Sequence, residues 1–376
     1  MRSVRKPIPY GRQTVGWREA HAAHKAVRSA LITQGPLVEE LEARICEWTG
    51  ARFAVVVNSG TAALHIAALA ANLSESGPTI VPSLTFAATA SSVLLAGGHP
   101  LIADISPQTW NLDFSLIPKG TKSVVTVDFA GLPSGVESSD LVAAGTTVIE
   151  DCAHSLGAST PRGPVGNCAG SDMACFSLHP VKSITSGEGG FVTTNSERLA
   201  NLLRGFRSHG IRRGVSDQAW EYEIDDIGLN YRLTDIQASI ALVQMRRLEG
   251  FINRRNEIAD RYRELLAGAD ISLPPAAGPG YRHSYHLFPV LLASAAERNA
   301  VYANLMEQGI VTQVHYKPLH RLGAFRNERF HHGLLEVSSD VGDTILSLPI
   351  FPGLTKTKQR YVVSALHRAI DGFRRP

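Results

Sequence analysis

Cysteine, charge of one sign and long apolar runs are all scarce in this 376-residue chain. The four cysteines, Cys46, Cys152, Cys168 and Cys175, have no paired metal-ligand spacing and are too few to frame a disulfide scaffold, which points to reduced thiols in the cytoplasm. No apolar segment approaches the roughly 18 residues of a spanning helix, so no membrane contact is expected. The net charge of +3 and the lack of any Lys/Arg run argue against nucleic acid as a partner. Met1 to Lys6 is basic, but Pro7-Ile8-Pro9 follows where a signal peptide would need an apolar stretch. There is no low-complexity tract and no repeat at a fixed period. Nor is there a Gly-x-Gly-x-x-Gly fingerprint. Gly187-Glu188-Gly189 is followed by Val192 where the third glycine should fall, which disfavours a nicotinamide oxidoreductase. His283 and His286 lack a third ligand at fitting spacing, and His331-His332 reads as an exposed loop, so no metal site is expected.

What the chain does have is the make-up of an ordinary globular protein, 44% hydrophobic and 19% charged, in a length that suits two or three domains. Residues 15–31 and 36–49 read as helices, the second with Leu37, Leu41 and Ile45 spaced for one face. Residues 53–57 read as a short apolar strand and 61–71 as a helix rich in Ala and Leu. Strand and helix then alternate, with strands at 79–81, 100–103, 123–127, 147–149, 173–176 and 191–194. The helices between and after them fall at 86–96, near 137–144 and at 196–206. Strands that read as continuous apolar runs between helices predict a parallel sheet covered on both faces. A long helical region from 234 to about 266, with a break near Gly250, leads into a Pro-, Gly- and Ala-rich stretch at 271–280. Strands at 286–292 and 311–315, a helix at 295–308 and a C-terminal helix from about 356 to 374 complete the pattern. The expected fold is α/β, with a large domain over 1–250 and a smaller α+β domain over 251–376.

In an open α/β sheet, ligands gather beyond the carboxyl ends of the strands, and three such ends carry chemistry here. After 53–57 comes Asn58-Ser59-Gly60-Thr61, opening a helix. Free backbone N–H groups there suit a phosphate, although an ordinary Ser or Thr cap would read the same. After 147–149 comes Glu150-Asp151-Cys152-Ala153-His154, in which Asp151 suits either a helix cap or the partner of a protonated ring nitrogen. After 173–176 come Ser177 and Lys182. Lys182 is the only Lys, Arg, Asp or Glu between Asp172 and Glu188, set among small, apolar and hydroxyl side chains just before a Gly-rich turn. Either it is a solvated loop lysine or it sits in a partly dry pocket, where its amine loses its proton readily and becomes a nucleophile. Glu188 suits catalysis or the holding of that turn equally. A phosphate cradle, an acidic partner for a pyridinium and an isolated lysine at one sheet edge are together what a pyridoxal-phosphate enzyme requires, with Phe86 available to stack on the ring.

At this point the chain resembles a known family, the DegT/DnrJ/EryC1/StrS sugar-nucleotide aminotransferases of the pyridoxal-phosphate fold type I. The resemblance spans residues 9–354. It rests on Leu31-Ile-Thr33-Gln-Gly-Pro36, Asn58-Ser-Gly-Thr-Ala-Ala63, Thr85-Phe-Ala-Ala-Thr-Ala90, Glu150-Asp-Cys-Ala-His-Ser-Leu-Gly157 and Phe176-Ser-Leu-His-Pro-Val-Lys182. Gly187-Glu-Gly-Gly190, Gly228-Leu-Asn-Tyr-Arg-Leu-Thr-Asp-Ile-Gln237 and Leu346-Ser-Leu-Pro349 extend it. The resemblance implies a three-layer large domain and a small C-terminal domain, with the first residues, to about 14, packing on the small one. It implies pyridoxal 5'-phosphate as cofactor, Lys182 as its Schiff-base lysine, Asp151 on the pyridine nitrogen, His154 near the ring hydroxyl and Phe86 over the ring. Gly60, Thr61 and Ser177 would hold the phosphate, and Asn230 would reach a phosphate in the neighbouring subunit of a homodimer with shared sites. Some members carry histidine at the lysine position and act as dehydratases, so lysine here implies transamination.

Further segments are similar to members that aminate C4 of a UDP-linked 4-keto-6-deoxy-N-acetylhexosamine in pseudaminic acid biosynthesis. These are Ile8-Pro-Tyr10-Gly-Arg-Gln13, Val127-Asp-Phe-Ala-Gly131, Arg207-Ser-His-Gly210 and Gln313-Val-His-Tyr-Lys-Pro318. By this likeness Tyr10, Thr33, His315, Tyr316, Lys317 and Pro318 surround the sugar nucleotide, and L-glutamate donates the amine. From residue chemistry alone, Tyr316 offers a flat face and Lys317 a cation for a uracil or diphosphate, though a surface loop would read the same. Members acting on other keto sugars, and a non-catalytic sugar-nucleotide binder, are the competing readings.

Overall fold

In a computed structural model that describes residues 7–214, 217, 218 and 220–375, seven strands form one sheet. They are β1 (Phe53–Val57), β2 (Pro78–Pro82), β3 (His99–Ala103), β4 (Ser123–Val127), β5 (Thr147–Asp151), β6 (Met173–Ser177) and β7 (Gly190–Thr194), in the order β1-β7-β6-β5-β4-β2-β3. The wholly parallel sheet read from the sequence is corrected at one strand, because β7 runs antiparallel to both β1 and β6. The cause is the connection. Between β6 and β7 the chain turns through Gly187 and Gly189 with no crossover helix, and without one it returns antiparallel.

Helices cover both faces. They are α1 (Trp17–Val27), α2 (Pro36–Thr49), α3 (Gly60–Ala70), α4 (Ala88–Leu95), α5 (Glu197–Arg207), α6 (Asp235–Met245) and α7 (Leu248–Leu265). Alternation along β1 shows the layering: Val55 and Val57 pack with α3, α4 and α5, while Ala54 and Val56 pack with α2, α6 and the start of α7. Each side of the sheet thus meets apolar side chains, which is why its strands read as unbroken apolar runs.

A second core forms around β8 (Phe288–Leu291) paired with β9 (Ile345–Leu348), closed by α8 (Ala295–Glu307) and α10 (Lys356–Arg374). The short α9 (Glu336–Thr344) precedes β9. The helix α7 serves both cores, with Leu248 and Ile252 in the first and Ile258 and Tyr262 in the second. A division at residue 250 falls within this helix. Ile8 joins the second core, its N–H donating to Gly309 O at 2.8 Å and its carbonyl accepting from Val311 N at 2.9 Å. Residues 1–6, including the basic start, lie outside the described residues.

Several expected elements differ. No α-helix forms over 137–144; the 3-10 turn Val136–Ser138 and a separate turn in which Ala144 N donates to Asp140 O at 2.8 Å stand there instead, between Gly135 and Gly145, both at positive φ, with Ser139 Oγ bonding back to Val136 O. The helical break expected at Gly250 lies instead between α6 and α7, at Arg246 and Arg247. Residues 311–315 make no strand, and Gln313 only bridges Ser347, because β9 takes the place beside β8. His331 is half-buried, its Nε2 at 3.0 Å from Phe325 O, so the 331–332 loop is not simply exposed. Among the described residues no helix is long and apolar enough to cross a membrane.

Candidate active site

The carboxyl ends of β1, β5 and β6 converge on a cavity of about 370 Å³ lined by Gly60, Thr61, Phe86, Asp151, His154, Ser177 and Lys182. On one side β1 ends at Val57 and α3 starts at Gly60, with Ser59 Oγ capping the helix by accepting from Ala62 N at 3.0 Å. The remaining N–H groups of that first turn face the cavity rim with the helix dipole behind them. Ser177 closes the cradle from the end of β6. A Cβ on Gly60 would fall 2.7 Å from the Ser177 Cβ, so only glycine lets the two elements approach this closely.

Asp151 and Lys182 stand opposite the cradle. In β5, Ile149 packs in the core beneath α3 and α4, and alternation brings the Asp151 side chain to that same face. Asp151 Oδ2 accepts from Thr89 Oγ1 at 2.7 Å and Oδ1 from Ala153 N at 3.1 Å. Thr85 Oγ1 lies 2.7 Å from Thr89 Oγ1, extending the chain of hydroxyls along the start of α4. Burial raises the Asp151 carboxyl, opposed by Thr89, the Ala153 N–H and the charge of Lys182. Lys182 is lowered to about 8, because burial outweighs the attraction of Asp151. Lys182 thus stands half-buried in the cavity wall instead of on a solvated loop, and its amine loses its proton more readily than a surface lysine does.

Rings and imidazoles form the far wall. Tyr316 Oη lies 3.0 Å from His154 Nε2. His154 has its ring centre 4.4 Å from that of His286, and its Nδ1 is buried without a partner. His315 Nδ1 lies 3.0 Å from Ser347 Oγ, and its ring is 5.3 Å from Tyr10. Burial holds all three imidazoles below their ordinary value, His315 at about 3, with the Lys182 charge adding in each case. Phe86 is 59% exposed, its ring 5.9 Å from Tyr316, so a large apolar face stands uncovered at the cavity. At the mouth, His179 Nε2 is 4.0 Å from Glu188 Oε1. The Gly-rich turn is held by the Glu188 carbonyl, which accepts from Ser186 Oγ at 2.7 Å and Gln237 Nε2 at 2.8 Å. The Glu188 carboxylate stays at the mouth beside His179.

Of the residues expected at the site, Tyr10, His315 and Tyr316 join the cavity as well. Four do not within one chain. Thr33 is exposed and bridges Thr234, and Asn230 is exposed and bridges Ser208. Lys317 and Pro318 line a separate hollow of about 380 Å³ with Arg298, Tyr302 and Arg321. Sequence reasoning missed the grip of Thr89 on Asp151, although the four-residue spacing from Thr85 at a helix start was a usable signal. The sequence pattern also left His286 as a strand or loop histidine after the metal reading was set aside, whereas it forms a wall of the cavity.

Pyridoxal phosphate, implied by the resemblance, fits these residues. The glycine-only approach at Gly60 makes room for a phosphate against helix N–H groups, Asp151 suits a protonated ring nitrogen, and Lys182 is a half-buried amine on the same cavity.

The whole chain has known relatives. A profile of the DegT/DnrJ/EryC1/StrS aminotransferase family matches residues 14–367. PseC of Helicobacter pylori, an aminotransferase involved in the biosynthesis of pseudoaminic acid, superposes with a TM-score of 0.89 at 28% identity, over 98% of this chain and 100% of that one. Spr1654 of Streptococcus pneumoniae in its PLP form gives 0.89 at 27% identity, over 97% and 99%. The sugar aminotransferase CalS13 of Micromonospora echinospora gives 0.87 at 26% identity, over 96% and 99%. With an α/β fold shared end to end and a family profile covering nearly its full length, this chain belongs to the DegT/DnrJ/EryC1/StrS aminotransferase family.

Proposed function

We propose that this aminotransferase uses pyridoxal 5'-phosphate to aminate C4 of UDP-2-acetamido-2,6-dideoxy-β-L-arabino-hex-4-ulose, with L-glutamate as donor, in the formation of pseudaminic acid. The observation that carries the reading is Lys182, a half-buried amine lowered to about 8 in one cavity with Asp151. When bound, pyridoxal phosphate supplies an electron sink through which an amino group passes from donor to acceptor. The chain's own residues do the rest. Gly60, Thr61 and Ser177 hold the phosphate. Asp151, aimed by Thr89 and the Ala153 N–H, keeps the ring nitrogen protonated. The freed Lys182 Nζ takes and returns the proton at the reacting carbon, a role its low proton affinity favours. Phe86 covers one face of the ring, and Tyr10, His315 and Tyr316 exclude water from the sugar side.

The exposed positions of Thr33, Asn230 and Lys317 support a homodimer with shared sites, in which Asn230 serves the partner's phosphate and Thr33, Lys317 and Pro318 reach the nucleotide. On this reading the chain acts in the cytoplasm, with a cofactor-binding domain to about residue 250 and a small domain beyond. The similarities to PseC and to CalS13 alike support a sugar aminotransferase, and because they are comparable, amination of another nucleotide keto-sugar stands as the second reading. Incubation with L-glutamate and separate UDP-, GDP- and dTDP-keto-sugars, followed by NMR of the products, decides between them. An axial or equatorial amine appearing at C4 of the UDP sugar of L-arabino configuration is expected. Amination of a different sugar alone would select the second reading, and no amination of any would sink both.

A further inference from the structure

Segment 313–318 is a wall with two sides. His315 and Tyr316 line the cavity, whereas Gln313, Val314, Lys317 and Pro318 line the hollow of about 380 Å³ beside it. Helix α8 supplies Arg298 and Tyr302 to that hollow, and α9 closes on the segment so tightly that a Cβ on Gly342 would fall 2.4 Å from the Pro318 ring. The charges around the hollow do not cancel. Arg321 donates Nη1 and Nη2 to the two oxygens of Asp343, the latter at 3.1 Å, and this pairing holds the carboxyl below its ordinary value. Arg298 bonds to neutral groups, Nε to Asn299 Oδ1 at 2.9 Å and Nη1 to the carbonyls of Gly342 and Ile345 at 3.5 and 3.3 Å. Lys317 is exposed, and among the described residues its ammonium has no hydrogen bond or ion pair. Two positive charges therefore border one concavity whose lining carboxylate is already matched. Tyr302, half-buried, adds a hydroxyl that bonds nothing among the described residues. Gln313 Oε1 accepts from Val314 N at 3.0 Å, which leaves its NH2 as a further donor.

We propose that this hollow binds a phosphate-bearing anion, held between Arg298 of α8 and Lys317. Cations and donors facing one concavity are the chemistry that recognises a multiply charged oxyanion, and the volume admits a diphosphate as well as a single phosphate. The site stands on these charges and does not depend on the cofactor or the sugar proposed above. An anion there joins α8 to the segment whose other residues, His315 and Tyr316, wall the cavity.

Calorimetric titration with inorganic pyrophosphate, on protein loaded with pyridoxal phosphate so that the cradle at Gly60 is filled, reads the site. Saturable binding at about 1 mM or tighter is expected, weakening as salt is added. Lys317→Gln and Arg298→Gln should each weaken it roughly tenfold. Lys317→Gln is the decisive variant, because the exposed ammonium makes no bond in the fold, so an unchanged thermal midpoint should accompany the lost affinity. Repeating the titration with UDP present identifies the source of the anion. Mutual exclusion, with both affinities falling in Lys317→Gln, means that the hollow takes the diphosphate of a nucleotide; simultaneous binding means that it takes a separate phosphate compound, and either result bears out the site. No saturation by about 10 mM pyrophosphate, or an affinity unchanged in Lys317→Gln, overturns it. Failure of the wild type to take up pyridoxal phosphate would sink the functional reading alone, since the Lys317 and Arg298 variants still report on the hollow.

Discussion

At the scale of single residues the account turns on Lys182, whose surroundings are drier than its loop position suggests. Replacing it by alanine removes the amine that moves the proton, so transamination should fall by at least about a hundredfold while the fold persists, as steady-state rates and circular dichroism would report. Its lowered proton affinity also sets a pH dependence. The unprotonated share shrinks about tenfold per unit below its value of about 8. The rate at which cofactor-free protein captures pyridoxal phosphate should therefore climb with pH up to about 8 and level off above it. A flat profile would mean the amine is not the titrating group. Asp151 depends on a second residue, because Thr89 Oγ1 donates to its Oδ2. Thr89→Val keeps the shape and removes that donor, which should lower kcat roughly tenfold with little change in KM. Lys182 and Asp151 were legible because chemistry is unusual at their positions in the chain. Thr89 was legible only as one of two hydroxyls spaced four residues apart at a helix start, a spacing that does not say which carboxylate they meet.

Among elements, the site depends on how closely β1, β6 and β7 approach. Gly190 opens β7, and a Cβ there would lie 2.4 Å from Ser59 O and 2.7 Å from Phe176 O, both backbone atoms. Gly190→Ala must therefore separate β7 from its neighbours, and should cost about 1–3 kcal/mol in stability and loosen the phosphate cradle. Urea unfolding and cofactor titration check the two halves of that statement. The strands were legible where both faces are packed: Ser123–Val127 matches the residues expected of it. Errors gathered where local signals competed with tertiary ones. The 137–144 segment has helical composition but is bracketed by Gly135 and Gly145 at positive φ. Residues 311–315 have strand character, yet Ile345–Leu348 pairs with Phe288–Leu291 in their stead. Nothing within a five-residue window tells which of two apolar segments wins a partner.

For the molecule as a whole, the sheet carries a charge problem on the face away from the cavity. Asp128 and Glu150 are buried together beside Cys152, and Asp128 Oδ2 has no partner. Burial raises both carboxyls, Glu150 further by the nearby Asp128 charge. The folded chain thus holds protons that the unfolded chain releases in the ordinary carboxylate range. Stability from this pair is complete in acid and is lost as pH climbs above that range through the raised folded values. The thermal midpoint should decline from weakly acid to alkaline pH, and Glu150→Gln, which keeps the shape without the ionisation, should flatten the decline. Identical slopes in the two proteins would show that other groups set it. A second link is Arg255, fully buried on α7, which donates to the carbonyls of Tyr285, His286 and Ile350 at 3.0, 3.2 and 3.2 Å. It ties the cavity wall at His286 to the second core, a connection between distant segments that no local pattern discloses.

The central claim, that Lys182 is the residue joined to the cofactor, has a direct test. Borohydride reduction of the protein loaded with pyridoxal phosphate fixes the bond, and mass spectrometry of its peptides locates it. The account predicts the phosphopyridoxyl mass on the peptide containing Lys182 and none elsewhere; the mass on another lysine, or on no peptide, would contradict it.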